Sequence, residues 1–170
     1  MALKVGINGF GRIGRSTLSH IIESGRDDIE IVAINNRGPV DTAAHLFKYD
    51  SVHGRFPFDV KVVDGKLDLG RGPVMFTRHL HPTDCNWGEL GVDIVMECSG
   101  KFTNREDAAL HLDSGAKRVL VSAPSKGADR TIVYGVNNEA LKPEHDMISN
   151  GSCTTNCLAP VAKVLNDAVG

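Results

Sequence analysis

The stretch KVGINGFGRIGRSTLSHIIES, residues 4 to 24, passes from an apolar run through a glycine-rich turn into helical periodicity. Lys4 to Asn8 predicts a strand. Ile13, Leu18, Ile21 and Ile22 then fall on one helical face, with Gly25 just past the end as a left-handed cap. Between them stands Gly9-x-Gly11-x-x-Gly14. Glycines punctuate any strand-to-helix turn, so the pattern alone carries little; between a first strand and a first helix each glycine acquires a task. Gly9 makes the turn, Gly11 lets backbone approach a pyrophosphate, and Gly14 lets helix and strand pack closely. The helix start adds unpaired N–H groups and the positive end of the helix dipole. This predicts a site for NAD or NADP on a Rossmann-type, doubly wound α/β fold.

The rest of the chain keeps the strand and helix alternation that a mostly parallel sheet needs. IEIVAIN (29–35) is a continuous apolar run, as in a strand covered on both faces, and DTAAHLFKY (41–49) has helical spacing. From Asp59 to Thr77 the period falls to two: DVKVV and KLDL flank Asp64-Gly65, a hairpin signal, and PVMFT follows. That is a small antiparallel excursion. VDIVMECSG (92–100), KRVLVSAP (117–124), TIVYGV (131–136) and DMIS (146–149) resume the strand series. NREDAALHLDSGA (104–116) is the intervening helix, with Asn104 as N-cap and Asp107 at the third helical position.

A dinucleotide site of this type places an acid about 20 residues beyond the glycines, at the end of the second strand, to hold the adenosine ribose. Asn36 occupies that place, followed by Arg37. A carboxylate repels a 2′-phosphate, whereas an amide beside a guanidinium tolerates or attracts one. The residues therefore favour dual specificity or a tilt toward NADP over strict NAD.

With 170 residues, 41% of them apolar and 24% charged, and a formal net charge of −2, the chain is globular and has room for one ordinary domain. The charge balance offers no general attraction to nucleic acid or acidic membranes. No apolar run reaches the ~18 residues of a bilayer span, and the N-terminus meets the glycine turn before a signal-peptide stretch forms. The expected location is the cytosol. Cys85, Cys98, Cys153 and Cys157 read as free thiols, and no downstream Cys or His pair completes a metal site with the last two.

SNGSCTTNC (149–157) carries the hydroxyl and thiol chemistry of a nucleophilic site, yet all seven histidines precede it. Leu158, Val161, Val164, Leu165 and Val169 mark the apolar face of a helix. If that helix starts at Cys153, the thiol sits at the positive end of its dipole, with Pro160 in the interior. If Pro160 is instead the first helical residue, Cys153 lies in a loop.

INGFGRIGR, KYDSVHGRF, SAPSK and above all SNGSCTTNCLAP together resemble the phosphorylating glyceraldehyde-3-phosphate dehydrogenase family, from the first strand to the last residue. The resemblance implies a dinucleotide-binding domain over 1–151 and, over 152–170, the first helix of a catalytic domain whose paired histidine lies beyond this chain. It implies a homotetramer acting on a phosphorylated aldehyde and inorganic phosphate. Cys153 attacks the aldehyde, hydride passes to the nicotinamide, and phosphate cleaves the thioester. Ser152 and Thr154 match substrate or phosphate positions. Arg12 and Ile13 match the pyrophosphate turn, Asn8 and Asn35 its supporting ends, and Ser99, Gly100 and Ser122 the ribose and nicotinamide side, with Phe102 as an apolar wall. Asn156 and Cys157 orient the helix start, and Leu80 stands where the family commonly has an arginine near the adenine, so that segment offers a backbone contact. The related erythrose-4-phosphate dehydrogenase branch, which releases its acyl group to water, and a non-catalytic nucleotide-binding module are the alternatives. The chain alone is expected to bind dinucleotide without turnover.

Overall fold

The computed structural model of the chain describes residues 2–170. In chain order the elements are β1 (Leu3–Asn8), α1 (Arg12–Glu23), β2 (Ile29–Asn35), α2 (Val40–Lys48), β3 (Tyr49–Asp50), β4 (Gly54–Arg55), β5 (Lys61–Val63), β6 (Lys66–Asp68), β7 (Pro73–Thr77), β8 (Ile94–Glu97), α3 (Arg105–Asp113), β9 (Arg118–Val121), β10 (Arg130–Thr131), β11 (Met147–Ser149) and α4 (Cys153–Val169). One sheet runs β10-β11-β9-β8-β1-β2-β7-β6-β5, and β3 pairs with β4 separately. From β10 to β7 every neighbour is parallel; β7-β6 and β6-β5 are antiparallel. This is the doubly wound, mostly parallel α/β sheet with its antiparallel excursion. Asp64 and Gly65, both at positive φ, make the tight turn of that excursion.

Register explains how the two faces are filled. Met147, Val119, Val95, Gly6, Ala33 and Met75 face one another across six strands. Their small members leave room for Trp87: a Cβ on Gly6 would come within 2.9 Å of the indole ring. Trp87, Val92, Val95 and Ala33 form one core here, and Val119, Val121 and Met147 form another with Ala108 of α3. The next register row, Ile7 and Ile34, points to the opposite face. There it packs with Leu18 and Ile22 of α1 and Ala43 and Phe47 of α2. Cover on both faces is what the apolar stretch 31–34 of β2 requires.

Two expectations are refined. TIVYGV is not a strand beyond its first residue: β10 covers only Arg130–Thr131. Asn137 accepts from Val133 N and donates to Thr131 O, and Asn138 accepts from Gly135 N, so side chains take backbone groups a ladder would have used. α4 begins at Cys153, with Pro160 inside it. Ser152 caps it by accepting from Thr155 N at 3.0 Å, which secures the start upstream of the proline.

Candidate dinucleotide-binding site

A cleft of about 220 Å³ opens at the carboxyl ends of the central strands. β1 and its turn contribute Asn8, Gly9 and Gly11, while β2 and its continuation contribute Asn35, Asn36 and Arg37. His79 and Leu80 follow β7, and Cys98, Ser99, Lys101 and Phe102 follow β8. Carboxyl ends beside the central strand are where open α/β sheets bind ligands.

The three glycines have separate geometric reasons. Gly9 holds φ +95°, and a Cβ there would lie 2.5 Å from Ser99 N. A Cβ on Gly14 would lie 2.3 Å from the Gly9 carbonyl, so this residue is the spacer that seats α1 on its strand. At Gly11 a Cβ would meet nothing within 4 Å. Close packing therefore does not exclude a side chain at Gly11, and the open space fits backbone approach by a ligand. Gly11 is the N-cap of α1, with no side-chain cap and no acid in the first turn. The first-turn N–H groups are thus left for an outside acceptor, and the exposed Arg12 and Ile13 belong to that turn. These features fit a pyrophosphate.

Asn36 is turned differently from a ribose acceptor. Its Oδ1 accepts from Phe10 N at 3.2 Å, which ties it to the glycine turn and leaves its NH2 as the free group. Arg37 is exposed and anchors Arg78 through its carbonyl. Ser99 lines the cleft with its hydroxyl held inside the wall: Oγ donates to Glu97 Oε1 at 2.5 Å and accepts from Lys101 N. Gly100 stands at φ +72° in the same loop, and Ser122 N is bonded to the Glu97 carbonyl. Neither Gly100 nor Ser122 lines the cleft.

Sequence reasoning missed a polar row beneath the cleft. Thr77, Asn35, Asn8 and Glu97 are register partners on four adjacent strands. They are joined by hydrogen bonds of 2.9, 2.8 and 2.5 Å, and Glu97 continues to His111 at 3.0 Å and thence to Trp87. An acid closing the apolar triplet Ile94-Val95-Met96 was the available signal.

Cys153 lies off the cleft, after β11. Three inter-strand spacings, roughly 14 Å, separate β11 from β1 along the same carboxyl edge. Cys153 is exposed, at the first helical position, where free N–H groups favour negative charge. Around it Ser152 Oγ meets Thr154 Oγ1 at 2.8 Å and Thr155 Oγ1 at 2.7 Å. Asn156 Nδ2 donates to the carbonyls of Asn150 and Ser152, which fixes the helix start. Burial pushes the Cys85 thiol up to about 12 and that of Cys98 up to about 11, so both are held as unreactive thiols. Among the described residues no group of three or more His, Cys, Asp or Glu is arranged to hold a metal ion, and no helix is long and apolar enough to cross a membrane.

A parallel sheet with a glycine turn, an uncapped helix start and a cleft at its carboxyl edge defines a dinucleotide-binding domain of Rossmann type. The family model described as glyceraldehyde 3-phosphate dehydrogenase, NAD binding domain, matches residues 3–105, and the chain belongs to that family. It is 66% identical over 170 residues to a glyceraldehyde-3-phosphate dehydrogenase of Xanthobacter flavus, covering 100% of this chain and 51% of that protein. It is 60% identical to the Cereibacter sphaeroides protein of that name, covering 50% of it, and 52% identical to the Geobacillus stearothermophilus one, again covering 50%. The chain spans about half the length of these curated relatives.

Proposed function

We propose that this chain is the dinucleotide-binding part of a phosphorylating glyceraldehyde-3-phosphate dehydrogenase, cytoplasmic and tetrameric, that oxidises a phosphorylated three-carbon aldehyde. The observation that carries the reading is the open space at Gly11 beside the uncapped start of α1. The first-turn N–H groups from Arg12 onward, with the Gly9–Gly14 turn, would hold the pyrophosphate of NAD or NADP. Asn8 and Asn35 support that turn from below. Phe102, with the Ser99–Gly100 loop and Ser122 behind it, would bound the nicotinamide side, and Leu80 the adenine side. When bound, the dinucleotide supplies the hydride acceptor.

In this reading residues 1–151 form the binding domain and 152–170 the first helix of a catalytic domain. Cys153 is the nucleophile, and Ser152 and Thr154 contact substrate or phosphate. Leu158, Val161, Val164, Leu165 and Val169, all exposed on α4, form the face that a catalytic domain would cover. In this reading the base that pairs with Cys153 is the family's histidine, outside these residues.

At the ribose end, the free NH2 of Asn36 and the exposed guanidinium of Arg37 are donors, which suits a 2′-phosphate as well as a hydroxyl. The chain therefore binds both NAD and NADP. Calorimetric titration of the chain and of Asn36→Asp with each dinucleotide tests this. The unmodified chain is expected to bind both without oxidising aldehyde, and the variant to shift the affinity ratio about tenfold toward NAD, the scale of one charged contact. An unchanged ratio contradicts the role of Asn36, and aldehyde- and phosphate-dependent NADH formation by the chain alone contradicts an outside base.

A further inference from the structure

The segment that follows β2 is stitched to the segment that follows β7. Asn35 and Thr77 are the last register partners of these two parallel strands, and Asn36 N donates to the Thr77 carbonyl at 3.0 Å one step further on. There the backbone ladder ends and a side chain takes over: Arg78 Nε donates to the Arg37 carbonyl at 3.1 Å. A guanidinium carries five N–H groups in one plane, so this bond uses one of them and sets the direction of the rest. Arg37 and Arg78 are both exposed, and among the described residues neither is ion-paired. Two positive charges are thus held on neighbouring strand ends, beside the place of the adenosine ribose, without a counter-charge.

The cleft shows the same bias. The whole chain has slightly more acids than bases, 21 Asp and Glu against 19 Lys and Arg. Yet the cleft is lined by Arg37 and Lys101 and by no Asp or Glu. Asn36, where an acid would hold the ribose hydroxyls, has its Oδ1 engaged by Phe10 N. No carboxylate stands there to repel a phosphate, and two like charges held side by side are relieved by an anion placed between them.

We propose that Arg78 is a specificity-determining residue for NADP: with Arg37 it binds the 2′-phosphate of the adenosine ribose, through the Nη groups that its bond to the Arg37 carbonyl leaves unused. This role for Arg78 rests on the dinucleotide reading of the cleft. NADP differs from NAD by that phosphate alone, a group of about −1.5 to −2 charges at neutral pH. The planar fork of a guanidinium meets two phosphate oxygens at once, and a fork already oriented loses less freedom in doing so.

The test is the Kd of NAD+ and of NADP+, measured by calorimetry for the 170-residue chain, for Arg78→Gln and for Arg78→Lys. Arg78→Gln is expected to weaken NADP+ about tenfold, the scale of one charged contact, and to keep NAD+ within about twofold. Arg78→Lys, which keeps the charge and loses the fork, is expected to fall between the two. Added salt should weaken NADP+ more than NAD+ in the unmodified chain, and this difference should narrow in Arg78→Gln. Arg78 is exposed, so thermal unfolding of the variants is expected to match that of the unmodified chain. An equal loss for both dinucleotides marks a residue that only joins the two segments, and an unchanged NADP+ affinity marks a side chain that only meets water. Either result overturns the role of Arg78 and leaves the dinucleotide reading intact, as does binding of NAD+ without NADP+. Binding of neither dinucleotide overturns both.

Discussion

Gly11 and Gly14 are three residues apart, and their surroundings assign them opposite costs. A side chain at Gly11 enters open space, so Gly11→Val leaves the fold's packing alone but occupies the place where a pyrophosphate would lie against backbone. A side chain at Gly14 must push a backbone carbonyl 2.3 Å away. Thermal unfolding with dinucleotide titration separates them. Gly11→Val is expected to keep its stability within ~0.5 kcal/mol and lose at least about tenfold in affinity, whereas Gly14→Val loses ~2 kcal/mol or more of stability. Equal destabilisation by both would mean that Gly11 is only another packing glycine. All three glycine positions were legible in the sequence because strand, turn and helix are consecutive there. Glu97, His111 and Trp87 were not, because they come from a strand, a helix and the segment between β7 and β8, and only tertiary packing brings them together. Asn36 was legible as a departure from an acid, but its orientation was not: that depends on Phe10 N, 26 residues away.

Among the elements, β2, α1, the Asp64-Gly65 hairpin and the Asn104 cap of α3 stand where their local patterns put them. Each is specified by contiguous residues. TIVYGV failed as a strand since two asparagines downstream capture its backbone, a competition that β propensity does not register. The neighbouring edge of the sheet hangs on Asp129. Burial would raise its carboxyl, but the Met147 N–H, the Arg105 guanidinium and the Asp146 N–H outweigh this and hold it down at about 2. Asp129 thereby ties α3 to β11. Its folded value lies below the ordinary 3.8, so the stability it contributes is complete above about pH 4 and is lost as pH falls through about 2. Unfolding curves of the chain and of Asp129→Asn should differ by ~2 kcal/mol at pH 7 and converge between pH 4 and pH 2. A gap that persists unchanged at pH 2 contradicts the ion-paired role.

For the whole molecule, two turns stand on one edge of the sheet. The glycine turn after β1 and the cysteine turn after β11 both leave the carboxyl ends of parallel strands, three strand steps apart. Hollows of about 250 and 350 Å³ elsewhere, one bounded by Arg15, His20 and His53 and the other by Ile21, Ile29 and Leu69, exceed the cleft in size. Neither has a glycine turn or a free helix start, so size alone would misplace the site. The most direct test is a 1H–15N NMR titration of the chain with NAD+. The amides of Gly9, Phe10, Gly11, Arg12 and Ile13 are expected to shift most, with smaller shifts at Asn36 and Ser99. If those resonances stay fixed at millimolar dinucleotide, or if the largest shifts fall around Arg15, His20 and His53, the glycine turn is not where the dinucleotide binds.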